Sequence, residues 1–168
     1  MKKLFLFIVL VPFILLAQTE DKSTYTKAGQ TVPSFTVTTL DGKTINISDL
    51  KGKVVLLNFF ATWCGPCMTE MPRVEKEIWQ KYKGDNFVVL ALGREHSKEE
   101  LEKFNKEKGF TFYIAPDIKR EVYSKFAKEL IPRNYLIDKN GVIVMQGIGY
   151  NTDEFDKLVN EIEKQLKK

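Results

Sequence analysis

Lys53-Val-Val-Leu-Leu-Asn-Phe-Phe60-Ala-Thr-Trp63-Cys64-Gly65-Pro66-Cys67 is the stretch on which the fold turns. Its first half is a continuous apolar run of strand length, the pattern of a strand buried on both faces. Its second half holds the only two cysteines of the 168-residue chain. Two cysteines so close together cannot staple distant parts of a fold, so these thiols are present for their chemistry. From Met68 to Lys83 the apolar residues recur at helical spacing. A Cys-x-x-Cys where a strand ends and a helix begins reads as a redox-active dithiol.

The helix terminus supplies the physical reason. Its first turn carries unsatisfied N–H groups and the positive end of the macrodipole, both of which favour an anion. A thiol placed there ionises more readily, from a free value of about 8.5 toward about 7 or lower. Cys64, at the helix start, is expected to be the exposed nucleophile. Cys67 shares a stripe with Met71, Val74, Ile78 and Tyr82 and is expected to be the recessed partner. Pro66 suits the first turn, where its missing N–H has no bond to lose. One His and no second cysteine pair argue against a four-ligand zinc site.

Ala61-Thr-Trp-Cys-Gly-Pro-Cys67 resembles the active site of the thioredoxin superfamily. The longer run Val54–Pro72, with Asn58 and Glu70, is similar to the exported TlpA/ResA-type thiol–disulfide oxidoreductases. The likeness continues through Ile131-Pro132 and Tyr135-Leu-Ile-Asp-Lys-Asn-Gly141, and covers roughly residues 30 to 166. It implies an α/β thioredoxin-like fold: a mixed central sheet with helices on both faces, an N-terminal hairpin and a central helical insert. It also implies a cis peptide before Pro132, packed beside the dithiol. Ile131 would offer its backbone to an extended client, with Trp63, Gly65 and Pro66 as the remaining contact surface. Thioredoxins proper carry an Asp where this chain has Asn58, which cannot titrate. Glu70, one helical turn beyond Cys67, resembles the active-site glutamate of the ResA-type proteins and would handle the proton of the recessed thiol; the alternative is an ordinary surface Glu favoured by the helix dipole.

Met1 to Ala17 reads as a secretory signal, with Lys2 and Lys3 ahead of an apolar run of 13 residues, Leu4–Leu16. That run is shorter than the ~20 residues needed to span a bilayer. Cleavage after Ala17 would leave a soluble protein, and an uncleaved leader a membrane tether; either way the expected location is outside the cytoplasm, in a bacterial periplasm. No Cys follows the run to take a lipid anchor. The 26 basic and 22 acidic residues give a net charge of +4. They are intermixed along the chain, a solvated surface and not a nucleic-acid footprint. The segment 18–29 is expected to be a flexible lead-in, and 30–168 a single domain folded around a packed core.

Within that domain, Ser34–Leu40 and Lys43–Ile47 form an expected hairpin around Asp41-Gly42. Further strands are expected at Asn86–Gly93 and Phe110–Ile114, and as a hairpin at Asn134–Ile137 and Val142–Gly147. Ser97 and Glu100 form a capping box for a helix to about Lys108. Asp117 is expected to cap a helix over Lys119–Ala127, and Asp153 the last helix, whose stripe is Phe155, Leu158, Val159, Ile162 and Leu166. Pro72 is expected to bend the helix that follows the cysteines.

The neutral Gly65-Pro66 pair adds no stabilisation to the Cys64 thiolate, which favours a reductant over an oxidant. Protein disulfides are then the clients, an upstream redox protein the donor, and no cofactor or metal is needed; a monomer is expected. Disulfide oxidant or isomerase is the same-fold alternative. A peroxiredoxin would place Pro and Thr where Leu57 and Ala61 stand. A copper-delivery role would enlist Cys64, Cys67 and His96, soft thiolates being suited to Cu(I). His96 is otherwise a solvated loop residue or a client contact. Cytochrome c maturation, rescue of oxidised periplasmic proteins and envelope assembly all require this dithiol, and the sequence does not choose among them.

Overall fold

A computed structural model describes residues 22–84 and 86–168. The expected secretory signal lies outside the described residues. Five strands form the central sheet in the order β5-β4-β3-β6-β7: β3 Val54–Phe60, β4 Phe87–Arg94, β5 Tyr113–Asp117, β6 Arg133–Ile137 and β7 Ile143–Ile148. β3 runs parallel to β4 and antiparallel to β6, and β4 runs parallel to β5. A separate antiparallel pair, β1 Thr36–Thr38 and β2 Thr44–Asn46, precedes the sheet.

The helices are α1 Gly65–Arg73, α2 Gln80–Tyr82, α3 Lys98–Lys108 and α4 Thr152–Leu166. Between α1 and α2, Val74–Trp79 is a π-helical stretch. Pro72 lies just ahead of it, and its missing N–H interrupts the α ladder there. The crossovers β3-α1-β4 and β4-α3-β5 step in the same direction across the sheet, so right-handed connections put α1 and α3 on one face. Apolar side chains of α4, Phe155, Leu158 and Ile162, join the same cluster as Met71, Ile78 and Leu101. The opposite face is covered by β1, β2 and two short 3-10 helices, Ile47–Leu50 and Tyr123–Lys125. Its centre is aromatic: Phe59 meets Tyr123 edge-on at 5.2 Å, and Phe126 lies 4.9 Å from Tyr135. Among the described residues no helix is long and apolar enough to cross a membrane.

Three local expectations are corrected. The strand expected at Phe110–Ile114 starts three residues later, at Tyr113. Asn105 bonds both backbone groups of Phe110, and Glu75 accepts from the Thr111 N–H, so these residues are held as a loop. Pro116 sits inside β5, which is tolerated because β5 is the sheet's outer strand. The helix expected over Lys119–Ala127 is only the 3-10 turn Tyr123–Lys125, because Arg120 adopts a left-handed φ of 59° that no helix accommodates. Asp117 still caps it, accepting from the N–H groups of Val122 and Tyr123 at 3.1 and 2.7 Å. The last helix is capped by Asn151, whose side chain accepts from the Glu154 N–H, and Asp153 falls in its first turn.

The lead-in differs too. From Ser23 it is tied to the domain by a bridge between Thr24 and Ala127 and by Arg133. The Arg133 guanidinium, 1% exposed, donates to Ser23, to Thr24 and to the carbonyls of Glu129 and Leu130. This buried fork binds the lead-in to the loop that enters β6.

Gly93 marks a close approach of sheet and α3. A Cβ there would lie 2.7 Å from both Cδ atoms of Leu101, itself fully buried. We expect Gly93→Ala to destabilise the protein by about 1–3 kcal/mol through overpacking, read as a lower urea midpoint at unchanged slope.

Candidate active site

β3 ends at Phe60, and the chain turns over Ala61-Thr-Trp63 before α1 begins at Gly65. Cys64 is the N-cap residue: its Sγ accepts from the Cys67 N–H at 3.2 Å, with Pro66 in the first turn. The two cysteines are joined as a disulfide. Cys67 is 0% exposed and Cys64 only 6%, so Cys64 is the outer sulfur but less exposed than the sequence suggests. Its Sγ lies 3.8 Å from the carbonyl oxygen of Ile131. The Ile131–Pro132 peptide is cis and Pro132 is buried. Trp63, 64% exposed, stands beside the dithiol as a flat apolar surface. Gly65 opens α1 with open space around its Cα.

One turn below Cys67, Glu70 is 2% exposed, which excludes the surface-charge alternative. Both its oxygens are held by amides. Asn58 Nδ2 donates to Oε2 at 3.0 Å, and Asn134 Nδ2 donates to Oε1. Asn58 also donates to Asn134 Oδ1 at 2.9 Å, and the two residues face each other across the β3–β6 ladder. Burial raises the Glu70 pKa to about 7, against the lowering effect of the Asn134 and Asn58 hydrogen bonds. A cleft of about 320 Å³ between β7 and the start of α4 has Glu70 and Asn134 in its lining, giving the acid an opening to solvent.

Asn134 was missed from the sequence, and Asn58 was read as leaving a vacancy. For Asn58, a lone polar residue inside an apolar strand run was the available signal; Asn134, which follows Arg133 at the start of its strand, gave none, and the register that joins them was not legible. His96 is not a solvated residue. Buried at the end of β4, its Nε2 accepts from the Thr62 N–H at 3.0 Å, which places the ring proton on Nδ1, 3.6 Å from a Glu100 oxygen. It thus pins the turn leading to Cys64. Among the described residues no group of three or more His, Cys, Asp or Glu is arranged to hold a metal.

A dithiol at a helix N-terminus, a cis-proline facing it and a five-stranded mixed sheet behind it define a thiol–disulfide oxidoreductase of thioredoxin-like fold. The Redoxin family model matches residues 27–166, and the chain belongs to that family. Thiol-disulfide oxidoreductase ResA of Bacillus anthracis is 38% identical over 140 residues, 83% of this chain and 77% of the relative. The solution structure of a candidate protein disulfide isomerase from Bacteroides thetaiotaomicron is 39% identical with a TM-score of 0.84, covering 87% of this chain and 94% of that one. A candidate thiol:disulfide interchange protein DsbE from Chlorobium tepidum is 29% identical with a TM-score of 0.74, covering 84% and 99%.

The raised pKa of Glu70 has a stability consequence. The folded state holds the Glu70 proton up to about pH 7, whereas an unfolded Glu releases it near 4.5. Stability from this group is therefore fully present below about pH 4.5 and is lost as pH rises toward 7, by on the order of 3 kcal/mol. In Glu70→Gln that decline should be absent. Urea midpoints of the oxidised proteins between pH 4 and 8 measure it, and parallel curves would show that Glu70 titrates normally.

Proposed function

We propose that the protein is a reductant of protein disulfides outside the cytoplasm, with Cys64 as nucleophile, Cys67 as resolving thiol and Glu70 as proton carrier. The observation that carries this reading is the buried Glu70, one turn beyond Cys67, with a pKa raised to about 7. In the reduced protein the Cys64 thiolate attacks one sulfur of the client disulfide. That S–S bond breaks, a mixed disulfide forms, and the departing client thiolate takes a proton. Glu70 then accepts the Cys67 proton, and the resulting thiolate attacks Cys64 Sγ. The second client thiolate leaves, so the client gains two electrons and the protein closes its Cys64–Cys67 disulfide. An upstream redox protein returns the two electrons.

Client recognition falls to the backbone of Ile131 beside cis-Pro132, and to Trp63 with Gly65 and Pro66. An extended segment laid there is read mainly through its main chain, which suits a client set of varied sequence. Export rests on the basic and apolar character of residues 1–17 and on the resemblance to exported ResA-type proteins. The reductant direction rests on the neutral Gly65-Pro66 pair, which leaves the Cys64 thiolate to the helix terminus alone.

Two measurements test this. Equilibration with glutathione buffers, followed by Trp63 fluorescence, should give a potential nearer about −270 mV than about −120 mV. A value at the oxidising end would make the protein a disulfide donor. Glu70→Gln should slow reduction of a model disulfide at least tenfold and shift its pH–rate profile, because a neutral amide cannot accept the Cys67 proton. An unchanged profile would remove Glu70 from the chemistry.

A further inference from the structure

We propose that the basic cleft beside Trp63 is a docking surface for an acidic segment flanking the client's disulfide. The proposal rests on the reductant reading above and specifies which clients that site favours. The cleft, about 500 Å³, is lined by Arg94, Lys119, Arg120 and Lys128, with Tyr25 and a single carboxylate, Glu129. Elsewhere the chain mixes its charges, 26 basic against 22 acidic, so four cations lining a cleft with one acid is a local departure; Arg94 also pairs with Glu95 at 3.1 Å outside the lining, which leaves Lys119, Arg120 and Lys128 against Glu129.

The cleft adjoins the dithiol on two sides. The Arg94 guanidinium lies 5.6 Å from the ring of Trp63, the residue preceding Cys64. Glu129 and Leu130 lead directly into Ile131, whose carbonyl oxygen is 3.8 Å from Cys64 Sγ. A client strand laid along Ile131 therefore passes onto the cleft as it leaves the dithiol.

Its cations are also ordered in advance. Arg94 and Arg120 both sit over the ring of Tyr123, at 5.2 and 5.1 Å, and the Tyr123 hydroxyl donates to the Leu130 carbonyl. Arg120 donates in turn to the Lys128 carbonyl. Among the described residues the non-glycine positions with left-handed φ are Glu95, Arg120 and Leu130. Arg120 lines the cleft, while Glu95 and Leu130 adjoin its Arg94 and Glu129, and such conformations persist only where the surrounding contacts fix them. Lys119 and Lys128 are exposed. A fixed guanidinium pair with two exposed ammonium groups around it matches carboxylates spaced along an extended chain, and steers such a chain on approach.

The test uses two synthetic peptides closing the same disulfide loop, one flanked by Asp and Glu and the other by Lys. Neutral hydroxyethyl disulfide is the third substrate. The wild-type protein should reduce the acidic peptide about tenfold faster than the basic one at low salt, with the ratio collapsing near about 0.5 M salt. The double variant Lys119→Glu/Lys128→Glu should lose or invert that ratio while reducing hydroxyethyl disulfide at the wild-type rate. Equal peptide rates in the wild type, or an unchanged ratio in the variant, would overturn the docking surface alone. Failure of the wild type on hydroxyethyl disulfide would overturn the reductant reading and this proposal with it. Sedimentation with phosphatidylglycerol vesicles that the double variant loses, beside equal peptide rates, would assign the cleft to a membrane surface instead.

Discussion

The full burial of β3 sets the position of everything else in the site. All seven residues of Val54–Phe60 are buried, and the strand is bonded along both edges, to β4 and to β6. A strand so enclosed cannot slip its register without turning its apolar set against the wrong face. The point where it ends is therefore fixed, and with it the start of α1 and the place of Cys64. The same enclosure forces a decision on Asn58. A buried amide donor in the middle of the sheet must find acceptors, and Asn58 Nδ2 finds Glu70 and Asn134, while its Oδ1 has no hydrogen-bond partner among the described residues. The dithiol and its acid are thus positioned by one strand.

Glu70 is kept in a medium where its charge is costly, and among the described residues its hydrogen-bond donors are the amides of Asn58 and Asn134. A lysine or arginine partner would have held the carboxylate ionised and taken its pKa down. Amides satisfy its oxygens without adding charge, so desolvation prevails and the pKa settles at about 7. An acid in that range can exchange a proton with a thiol in either direction near neutral pH. The cleft at β7 and α4 gives that acid an opening to solvent.

Much of this was legible in the residues, and the failures have physical causes. The apolar run, the cysteine spacing, Pro66 and the Ser97 capping box are local signals, and each states its structure within a few residues. Asn134 carries no such signal, because its meaning depends on standing opposite Asn58 across 76 positions of sequence. His96 looked like a loop residue because no local rule shows that its ring turns inward to Thr62. Lys119–Ala127 has adequate helical propensity, yet the left-handed Arg120 and the bonds to Asp117 override it. The lead-in read as flexible from its polarity; Arg133, buried beneath it, supplies the partners that order it.

Strand alternation explains why the chemistry divides as it does. On β3 and β6 the residues that face the long helices include Leu56, Phe60 and Leu136, and Asn58 and Asn134 fall in the same alternate set. The acid machinery is therefore built on the helical face. On β4, Val88, Leu90 and Leu92 face the opposite, aromatic layer, and Arg94 continues their alternation to meet Tyr123 of that layer. The basic cleft thus belongs to the other face. β3 and β4 run parallel, and β6 enters antiparallel, so the end of β3, the end of β4 and the start of β6 share one edge of the sheet. Cys64, His96 and Pro132 meet there for that reason. The disulfide packs with the helical-face cluster at that shared edge, and Ile131 beside it borders both layers.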